Sequence, residues 1–408
     1  MNKINTIDLF AGCGGLMEGF EMSGHYKTLA CVEWEKSPCD NLKKHLKEKW
    51  KYKDADKRVL HFDIQRYEEL FEGWKDEKYG VSEGLDTLIG DSSVELIIGG
   101  PPCQAYSIAG RVRDENSMRD DYRNYLFESY IQVVKHYNPK AFIFENVPGM
   151  LSAKPKDKLI IDVIREAFDK AGYVVLTDLS NAIIDFSDFG VPQNRKRVII
   201  LGLSKAIYKE KAMSLLNEFY NVILPTYKTK NKKNVKDAIG NLPELFPLDE
   251  EIRWNGKRYS HSFNKEGIKN HLPRWQNNRD IKIFKMLAAD ILSETNAFIS
   301  AESLRALYTK ITGKTSNVHK YHVLRWNEQS NLIPAHLYKD GLRHIHPDPN
   351  QARSITVREA ARLQGFPDDY EFIDSQADQF KMIGNAVPPS FSKILAQAIY
   401  ELLFKEVE

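Results

Sequence analysis

The chain has 408 residues, of which 42% are hydrophobic and 28% are charged, and its formal net charge is +2. These proportions are those of an ordinary soluble globular protein with room for two or three domains. No apolar run reaches the roughly 18–20 residues that span a bilayer, and the N-terminus shows no apolar stretch typical of a signal peptide. We therefore expect a cytoplasmic protein without a membrane partner.

The cysteines do not fit a zinc finger or a disulfide framework. They stand at positions 13, 31, 39 and 103, without a C-x-x-C pair or a His at zinc-finger spacing, so we expect no metal site. A disulfide framework is not expected in a cytosolic chain of this size. Cys31 and Cys39 fit the role of small buried hydrophobic side chains.

The first two hundred residues alternate short β-type runs with helical patterns. Such alternation predicts a parallel α/β sheet that binds its ligands at the carboxyl ends of the strands. Strands are predicted at 4–10, 28–33, 58–62, 94–98, 141–145, 173–179 and 197–201, and helices at 16–22, 37–49, 121–136 and 156–171, with Ser37 as the cap of the second helix.

The alternation stops after about Lys205, and the segment that follows is polar, irregular and basic. Residues 226–350 contain 21 Lys and Arg against 13 Asp and Glu, together with seven of the eleven His and three of the six Trp. Basic charge interleaved with aromatic side chains indicates a nucleic-acid contact surface in a separate smaller domain. Charge alone fits a solvated basic face equally well. Regular patterns return at 356–363 and 388–404.

A glycine-rich loop follows the first predicted strand, in the run DLFAGCGGL at 8–16. Glycines there let the backbone approach a ligand, with the amides of the next helix facing it. Glu33 ends the next strand, where a carboxylate suits ribose hydroxyls, and Asp63 suits an adenine amino group. The dinucleotide pattern G-x-G-x-x-G fails, because Met17 and Glu18 follow the glycine pair. Alone, the loop indicates an adenosine-type cofactor.

Three further strand ends carry chemically useful side chains. Cys103 lies in GGPPCQ, and a nucleophilic thiol there needs cationic or amide groups nearby. Glu145 ends a strand in FENVP, and Arg195 and Arg197 share a strand face in QNRKR, so that both guanidiniums can enter one pocket. Each residue alone also fits a bland role: an incidental thiol in a turn, a solvated carboxylate, or phosphate contacts and surface charge. Their convergence above a cofactor loop is the strong signal.

Six segments together resemble the motif set of the C5 cytosine DNA methyltransferases of bacterial restriction–modification systems. They leave only about 205–350 unmatched, where that family keeps a variable target-recognition domain, and 109–124 corresponds to its mobile active-site loop. The segments are DLFAGCGG, PPCQAYS, ENVPG, QNRKR, RSITVREAARLQGFPDDY and IGNAVPP.

The resemblance implies an α/β fold with a Rossmann-like sheet that binds S-adenosylmethionine, and a second, smaller and irregular target-recognition domain. The implied catalytic domain is discontinuous and comprises 1–215 and 376–408. Residues 216–375 would form the target-recognition domain and hinge, including the segment RSITVREAARLQGFPDDY. The implied enzyme is a DNA (cytosine-5-)-methyltransferase that modifies a specific duplex sequence. We expect a monomer that binds double-stranded DNA, with a restriction endonuclease for the same site as the further partner such a system implies.

The resemblance also assigns roles to the strand-end residues. Cys103 would add to C6 of a flipped-out cytosine, because a stacked base hides C5 and C6. Glu145 would hold N3 and the exocyclic amine, and Arg197 would bind O2. Arg195 would support the thiol and phosphate side of the pocket. The base that removes the C5 proton stays open, with water as one candidate.

The implied contacts with S-adenosylmethionine involve twelve residues. Two of them, Trp34 and Leu126, fit plain core packing equally well. The twelve are Phe10, Ala11, Gly12, Gly14 and Leu16 around the methionine and ribose, Glu33 on the ribose, Trp34, Asp63 and Ile64 on the adenine, and Pro102, Leu126 and Asn385 as further contacts.

Two rival functions stay open at this point. An RNA cytosine-5 methyltransferase is disfavoured, because the enzymes that act on transfer RNA carry an added Cys-Phe-Thr element and no cysteine follows Cys103 here. A separate RNA family needs a second catalytic thiol. A catalytically silent DNA-binding protein on the same fold is disfavoured by the intact thiol, carboxylate and arginines.

Overall fold

Two structural units make up the chain. The computed structural model describes residues 3–102, 126–154, 158–315, 320–339 and 341–405. The larger unit comprises Met1–Phe189, Arg195–Lys230 and Ala386–Glu408, and the smaller comprises Gly190–Asn194 and Asn231–Asn385. The domain boundaries predicted at 215/216 and 375/376 stay predictions; helices continue from Lys205 to Thr226 beyond the last strand of the sheet.

An eight-stranded sheet forms the centre of the larger unit. Its order is β3-β2-β1-β6-β7-β10-β8, with β9 paired to β10. The strands of the unit, including a separate β4–β5 hairpin, are β1 Ile4–Leu9, β2 Tyr26–Glu33, β3 Val59–His61, β4 Trp74–Asp76, β5 Gly80–Ser82, β6 Leu96–Gly99, β7 Ala141–Asn146, β8 Tyr173–Val174, β9 Ile183–Asp185 and β10 Lys196–Ser204.

Strand direction corrects one feature of the prediction. The strands β3, β2, β1, β6 and β7 are mutually parallel, as predicted, but β10 runs antiparallel to β7, β8 and β9. The segment 198–203 is buried on both faces. Such a strand reads as a continuous apolar run whichever way it points, so its sequence does not reveal the direction. The sheet is therefore mixed within an α/β fold.

Helices flank this sheet, and the C-terminal helix returns to the first one. A Cβ on Gly15 would lie 2.3 Å from the carbonyl oxygen of Val387, and one on Gly19 would lie 2.3 Å from Cβ of Ser392. Glycine is therefore required for this close helix packing. The α-helices of the unit are α1 Gly15–Met22, α2 Lys36–Glu48, α3 Ala55–Arg58, α4 Tyr67–Glu72, α5 Gly84–Ile89, α6 Leu126–Tyr137, α7 Ile160–Lys170, α8 Lys205–Tyr208, α9 Ala212–Glu218 and α10 Leu224–Thr226, with the C-terminal helix Pro389–Leu403.

Several predicted ends shift by a few residues. The second helix begins at Lys36 after Glu35, so Ser37 lies within its first turn rather than capping it. The strand predicted at 173–179 is reduced to Tyr173–Val174, and irregular backbone leads from there to a 3₁₀ helix that begins at Leu179. Part of the helix predicted at 121–136 lies outside the described residues. The described part of this helix is Leu126–Tyr137.

The described residues of the smaller unit form α-helices and one β-hairpin joined by long irregular segments. Its elements are α11 Val235–Ile239, β11 Pro247–Trp254, β12 Lys257–His261, α12 Asn278–Leu292, α13 Ala301–Thr312, α14 Val357–Leu363 and α15 Gln376–Asn385, and the C-terminal helix of the larger unit is then α16. Across the described ranges, no helix has both the length and the apolar character to cross a membrane.

A buried ion pair stabilises the start of α14. Two guanidinium nitrogens of Arg353 each lie 2.7 Å from a carboxylate oxygen of Glu359, and both side chains are 1% exposed. Burial alone would raise the pKa of Glu359, but the adjacent Arg353 lowers it well below its usual range. Glu359 also closes a capping box with Thr356 at the helix N-terminus.

Candidate functional site

A cleft opens at the carboxyl ends of β1, β2 and β3. Ligands bind at this edge of parallel α/β sheets. Seven of the twelve residues predicted to contact a cofactor line the cleft. They are Phe10, Glu33, Trp34, Asp63, Ile64, Pro102 and Leu126, and Val32, Phe62 and Gln65 complete the wall.

The glycine loop between β1 and α1 has a left-handed backbone. Phe10 has φ 56°, which is rare for a bulky side chain, and Gly12 and Gly14 have φ 54° and 80°. The Gly12 amide donates a hydrogen bond of 2.8 Å to Oε2 of Glu33. A left-handed Phe persists only when its surroundings determine it, and such positions cluster at ligand sites. The loop is thus tied to the strand end that carries the buried carboxylate.

Glu33 is the buried polar group of this cleft. Burial raises its pKa to about 7. Its Oε2 accepts the Gly12 amide and its Oε1 accepts the amide of Glu35 at 2.9 Å. A carboxylate has about four acceptor positions, so Glu33 retains capacity for a hydroxyl donor. The next residue, Trp34, presents an indole that is 40% exposed. A carboxylate beside an open aromatic ring suits a ribose joined to a flat heterocycle.

The remaining predicted cofactor residues do not line this cleft. Ala11, Gly12 and Gly14 lie in the loop, Leu16 lies in the first turn of α1, and Ala11 and Leu16 are buried. Asn385 is the exposed last residue of α15 in the smaller unit. Their contacts with a cofactor stay predictions. Val32, Phe62 and Gln65 were not predicted from the sequence as lining residues. Their side chains have no distinctive chemistry, and only their position beside the predicted strand-end residues could have identified them.

An ion pair joins the ends of two neighbouring strands. Nε of Arg197, at the start of β10, lies 2.9 Å from Oε1 of Glu145 on β7, and each side chain is 12% exposed. The second carboxylate oxygen of Glu145 faces the backbone after β6. A Cβ built on Gly100 would lie 2.6 Å from that oxygen. Glycine at this position therefore leaves room for the carboxylate.

Asn146 connects the same strand end to the proline turn. Its Nδ2 donates to the carbonyl oxygen of Pro101 at 3.4 Å, and its Oδ1 accepts the amide of Val147 at 2.9 Å. The side chain is 1% exposed, so water does not replace these bonds. Asn146 thus holds the backbone that leads to Cys103. Cys103 itself lies outside the described residues, as does the predicted mobile loop 109–124.

Arg195 and Arg197 contact different groups. Arg195 is 2% exposed, and its Nη2 donates to the carbonyl oxygen of Ala386 at 3.1 Å. Its own carbonyl oxygen accepts the amide of Phe186 at 2.9 Å. Strand β10 begins at Lys196, so the alternation of a strand does not fix where the Arg195 side chain points. Arg195 holds the start of the C-terminal segment, whereas Arg197 pairs with Glu145.

The other thiols of the larger unit are buried. Cys13, Cys31 and Cys39 form no disulfide, and burial raises the pKa of Cys31 and of Cys39 well above the usual thiol range. Such thiols are not ionised at neutral pH and make poor nucleophiles. Among the described residues, His, Cys, Asp and Glu form no cluster of three or more that suits a metal ion.

The chain is similar to known proteins over nearly its whole length. The family model for C-5 cytosine-specific DNA methylases matches residues 4–401. The type II methyltransferase M.Bpa9945I of Bacillus paralicheniformis is 36% identical over 98% of this chain and 99% of its own length. The type II methyltransferase M.XorII of Xanthomonas oryzae pv. oryzae is 31% identical over 100% of this chain and 87% of its own length. A prophage-encoded protein of known structure from E. coli shares the fold, with 24% identity, a TM-score of 0.61 and coverage of 99% of this chain and 100% of its own.

Proposed function

The chain belongs to the C-5 cytosine-specific DNA methylase family, and we propose that it transfers a methyl group from S-adenosylmethionine to C5 of a flipped-out cytosine in a specific duplex sequence. The observation that carries this proposal is the ion pair between Glu145 and Arg197 beside the Gly99–Pro102 turn. It places a carboxylate and a guanidinium at the strand ends next to the backbone that leads to Cys103.

The proposed reaction begins with addition of the Cys103 thiolate to C6 of the cytosine. The electron pair of the C5–C6 bond becomes nucleophilic at C5, which forms a bond to the methyl carbon while the bond from that carbon to sulfur breaks. A base then removes the proton from C5, and the thiolate leaves C6 as the ring double bond returns. The products are 5-methylcytosine and S-adenosylhomocysteine.

Glu145 and Arg197 would stabilise the charge that develops on the ring. Glu145 would hold N3 and the exocyclic amine, and Arg197 would bind O2, where negative charge grows as the thiolate adds. Their 2.9 Å contact fixes the carboxylate before the base arrives. Preorganised groups of this kind need no rearrangement at the moment of reaction. Arg195 would act on the thiol and phosphate side of the pocket.

The cleft at β1–β3 fits S-adenosylmethionine, which when bound supplies an electrophilic methyl group. Glu33 would accept the two ribose hydroxyls, and the exposed Trp34 ring would pack on the adenine. Asp63 and Ile64 line the same cleft and would fix the adenine edge. Phe10, Pro102 and Leu126 also line this cleft. The buried acceptor and the adjacent ring are the features that support this cofactor.

We also propose the biological setting that its relatives suggest. The chain would act in the cytoplasm as a monomer on double-stranded DNA, as the modification enzyme of a restriction–modification system with an endonuclease for the same site. The smaller unit would serve as the target-recognition domain. The family membership and the names of the type II relatives support the role as a modification enzyme.

Radiolabelled methyl transfer tests the proposed function. Wild-type protein with S-adenosylmethionine should label duplex DNA and not transfer RNA, and Cys103→Ser should abolish transfer while cofactor affinity is unchanged. Cys31→Ser is a matched control, because that thiol is buried within β2 and does not line the cleft. A fully active Cys103→Ser protein would rule out the covalent mechanism, and labelling of transfer RNA alone would rule out DNA as the substrate.

A further inference from the structure

The β11–β12 hairpin projects exposed side chains from the smaller unit. Asn255 and Gly256 join the strands with φ 48° and 73°, which is the two-residue turn that favours a tightly twisted ribbon. All residues from Asp249 to Arg258 are exposed except Trp254, which is half-buried. A two-stranded ribbon with so much exposed surface gains little stability from its own pairing. Its side chains are therefore available to a partner.

Two arginines stand directly opposite each other near the tip. Arg253 on β11 is the register partner of Arg258 on β12, so both side chains lie on one face of the ribbon. Like charges in directly opposed positions destabilise a strand pair. Within the described part of the chain, Arg253 has no ion pair to offset this repulsion. The tip thus keeps an unfavourable arrangement that an anionic or acceptor-rich partner would relieve.

Neighbouring side chains hold Arg258 in place on that face. Its guanidinium lies 4.4 Å from the centre of the Trp275 ring. The Trp275 indole donates to Glu251 at 2.9 Å, and Glu251 lies 3.7 Å from Nη1 of Arg258. A guanidinium stacked on an indole is preorganised and loses less freedom when it forms further hydrogen bonds. Trp275 itself is 40% exposed.

The opposite face anchors the hairpin to its unit. Tyr259 is 5% exposed, and its ring packs against Phe263 at 4.5 Å between centroids. Trp254 lies 5.5 Å from the same Phe263 ring. This aromatic cluster leaves the Arg253–Arg258 face pointing away from the packed side of the ribbon. The hairpin therefore presents one rigid face.

Charge varies along the ribbon in a way that suits a groove. Arg253, Lys257 and Arg258 give a positive tip, whereas Asp249, Glu250 and Glu251 give a negative base. The negative base would repel a phosphate backbone laid along the whole hairpin, so the tip alone is suited to approach DNA. The major groove admits a two-stranded ribbon, and a guanidinium fork matches O6 and N7 of guanine.

We propose that the Arg253–Arg258 face enters the major groove of the substrate DNA and that its guanidiniums donate to base edges of the recognition sequence. This inference rests on the proposed function, since it requires duplex DNA as the substrate. It names the residues that make the enzyme selective, in addition to those that perform the reaction.

The test measures methylation of two duplexes by four variants. One 30-base-pair duplex carries the sequence mapped from methylated host DNA, and the other carries that sequence with one guanine–cytosine pair replaced. Arg253→Ala and Arg258→Ala should lower kcat/KM on the first duplex about 10- to 100-fold and reduce its preference over the second. Arg253→Lys and Arg258→Lys should lose nearly as much, because lysine keeps the charge but lacks the fork.

Exposed lysines on another element of the same unit provide the control. Lys282→Ala and Lys285→Ala on α12 remove the same charge away from the hairpin and should leave selectivity unchanged, and thermal unfolding should show that all variants fold. Wild-type rates in both Arg253→Ala and Arg258→Ala would overturn the inference. The inference would also be overturned if the alanine variants lost kcat/KM equally on both duplexes and the lysine variants regained it, since that result would identify phosphate contacts. Failure of the proposed function itself is distinct, since the wild type would then methylate neither duplex.

Discussion

Substitution of Gly100 by alanine tests how the position of the Glu145 carboxylate affects catalysis, because it should move that carboxylate with little effect on the stability of the fold. The new Cβ would lie 2.6 Å from Oε2 of Glu145, but 3.4 and 3.5 Å from its carbonyl oxygen and Cβ. Ordinary carbon–oxygen contacts are about 3.3–3.6 Å, so the carboxylate must retreat by roughly 0.7–1.0 Å. The atom that moves is the end of a flexible side chain. We therefore expect a loss of stability of about 1 kcal/mol or less.

The catalytic cost of the same movement should be much larger. Retreat of the carboxylate disturbs its 2.9 Å contact with Arg197 and the position proposed for the cytosine ring. A misplacement of about 1 Å can cost 10²-fold in rate, which corresponds to about 2.7 kcal/mol of activation free energy. Gly100→Ala should therefore fold normally, bind cofactor normally and methylate DNA about 100-fold more slowly.

Single-turnover methyl transfer with labelled cofactor measures the methylation rate. Thermal unfolding measures stability, and cofactor titration measures cofactor affinity. Gly267→Ala is the matched control. A Cβ on Gly267 would lie no closer than 3.1 Å to its nearest neighbour, Cβ of Asn264 in the smaller unit. A wild-type single-turnover rate for Gly100→Ala would show that the carboxylate position does not limit the reaction. An unfolded variant would show that the contact is structural instead.

Three further predictions follow from buried polar groups. Cofactor affinity should fall about tenfold per pH unit as pH drops below about 7. The reason is that binding of the ribose hydroxyls requires ionised Glu33, whose pKa is raised to about 7. Titration calorimetry of Glu33→Gln should show weaker binding without this pH dependence. Glu359→Gln should lower the free energy of unfolding of the smaller unit in urea by about 3–5 kcal/mol at pH 7, because Arg353 is left buried without its partner. The folded-state pKa of Glu359 is depressed, so this difference should be present above the ordinary value of 4.5 and shrink as pH falls below it. Asn146→Asp keeps the acceptor for Val147 but removes the donor to Pro101, and should lower kcat about 10-fold without changing the KM for cofactor.

The sheet shows which parts of a fold a single sequence reveals. The apolar runs of β1, β2, β6 and β7 end where the pattern predicts to within two residues, because strands buried on both faces need continuous hydrophobic residues. The direction of β10 was predicted wrongly, since an apolar run is the same when reversed. The direction is set by pairing with β9 and with β7, and the residues of β10 alone do not reveal these partners.

The site divides in the same way. Glu145 and Arg197 come together because neighbouring strand ends share one edge of the sheet, which spacing can predict. Gly100 and Asn146 were not singled out, although they lie within the quoted motifs, because their importance arises from a contact between two separate loops. The partner of Arg195 was missed for a related reason, since Ala386 follows it by 191 residues.

Nucleoside analysis of DNA from a host that expresses the protein tests the central claim most directly. Mass spectrometry should detect 5-methyldeoxycytidine that is absent from a host expressing Cys103→Ser, and bisulfite sequencing should place it at one recurring sequence. Methylation on the exocyclic nitrogen of cytosine or adenine, or 5-methylcytosine confined to RNA, would contradict the account.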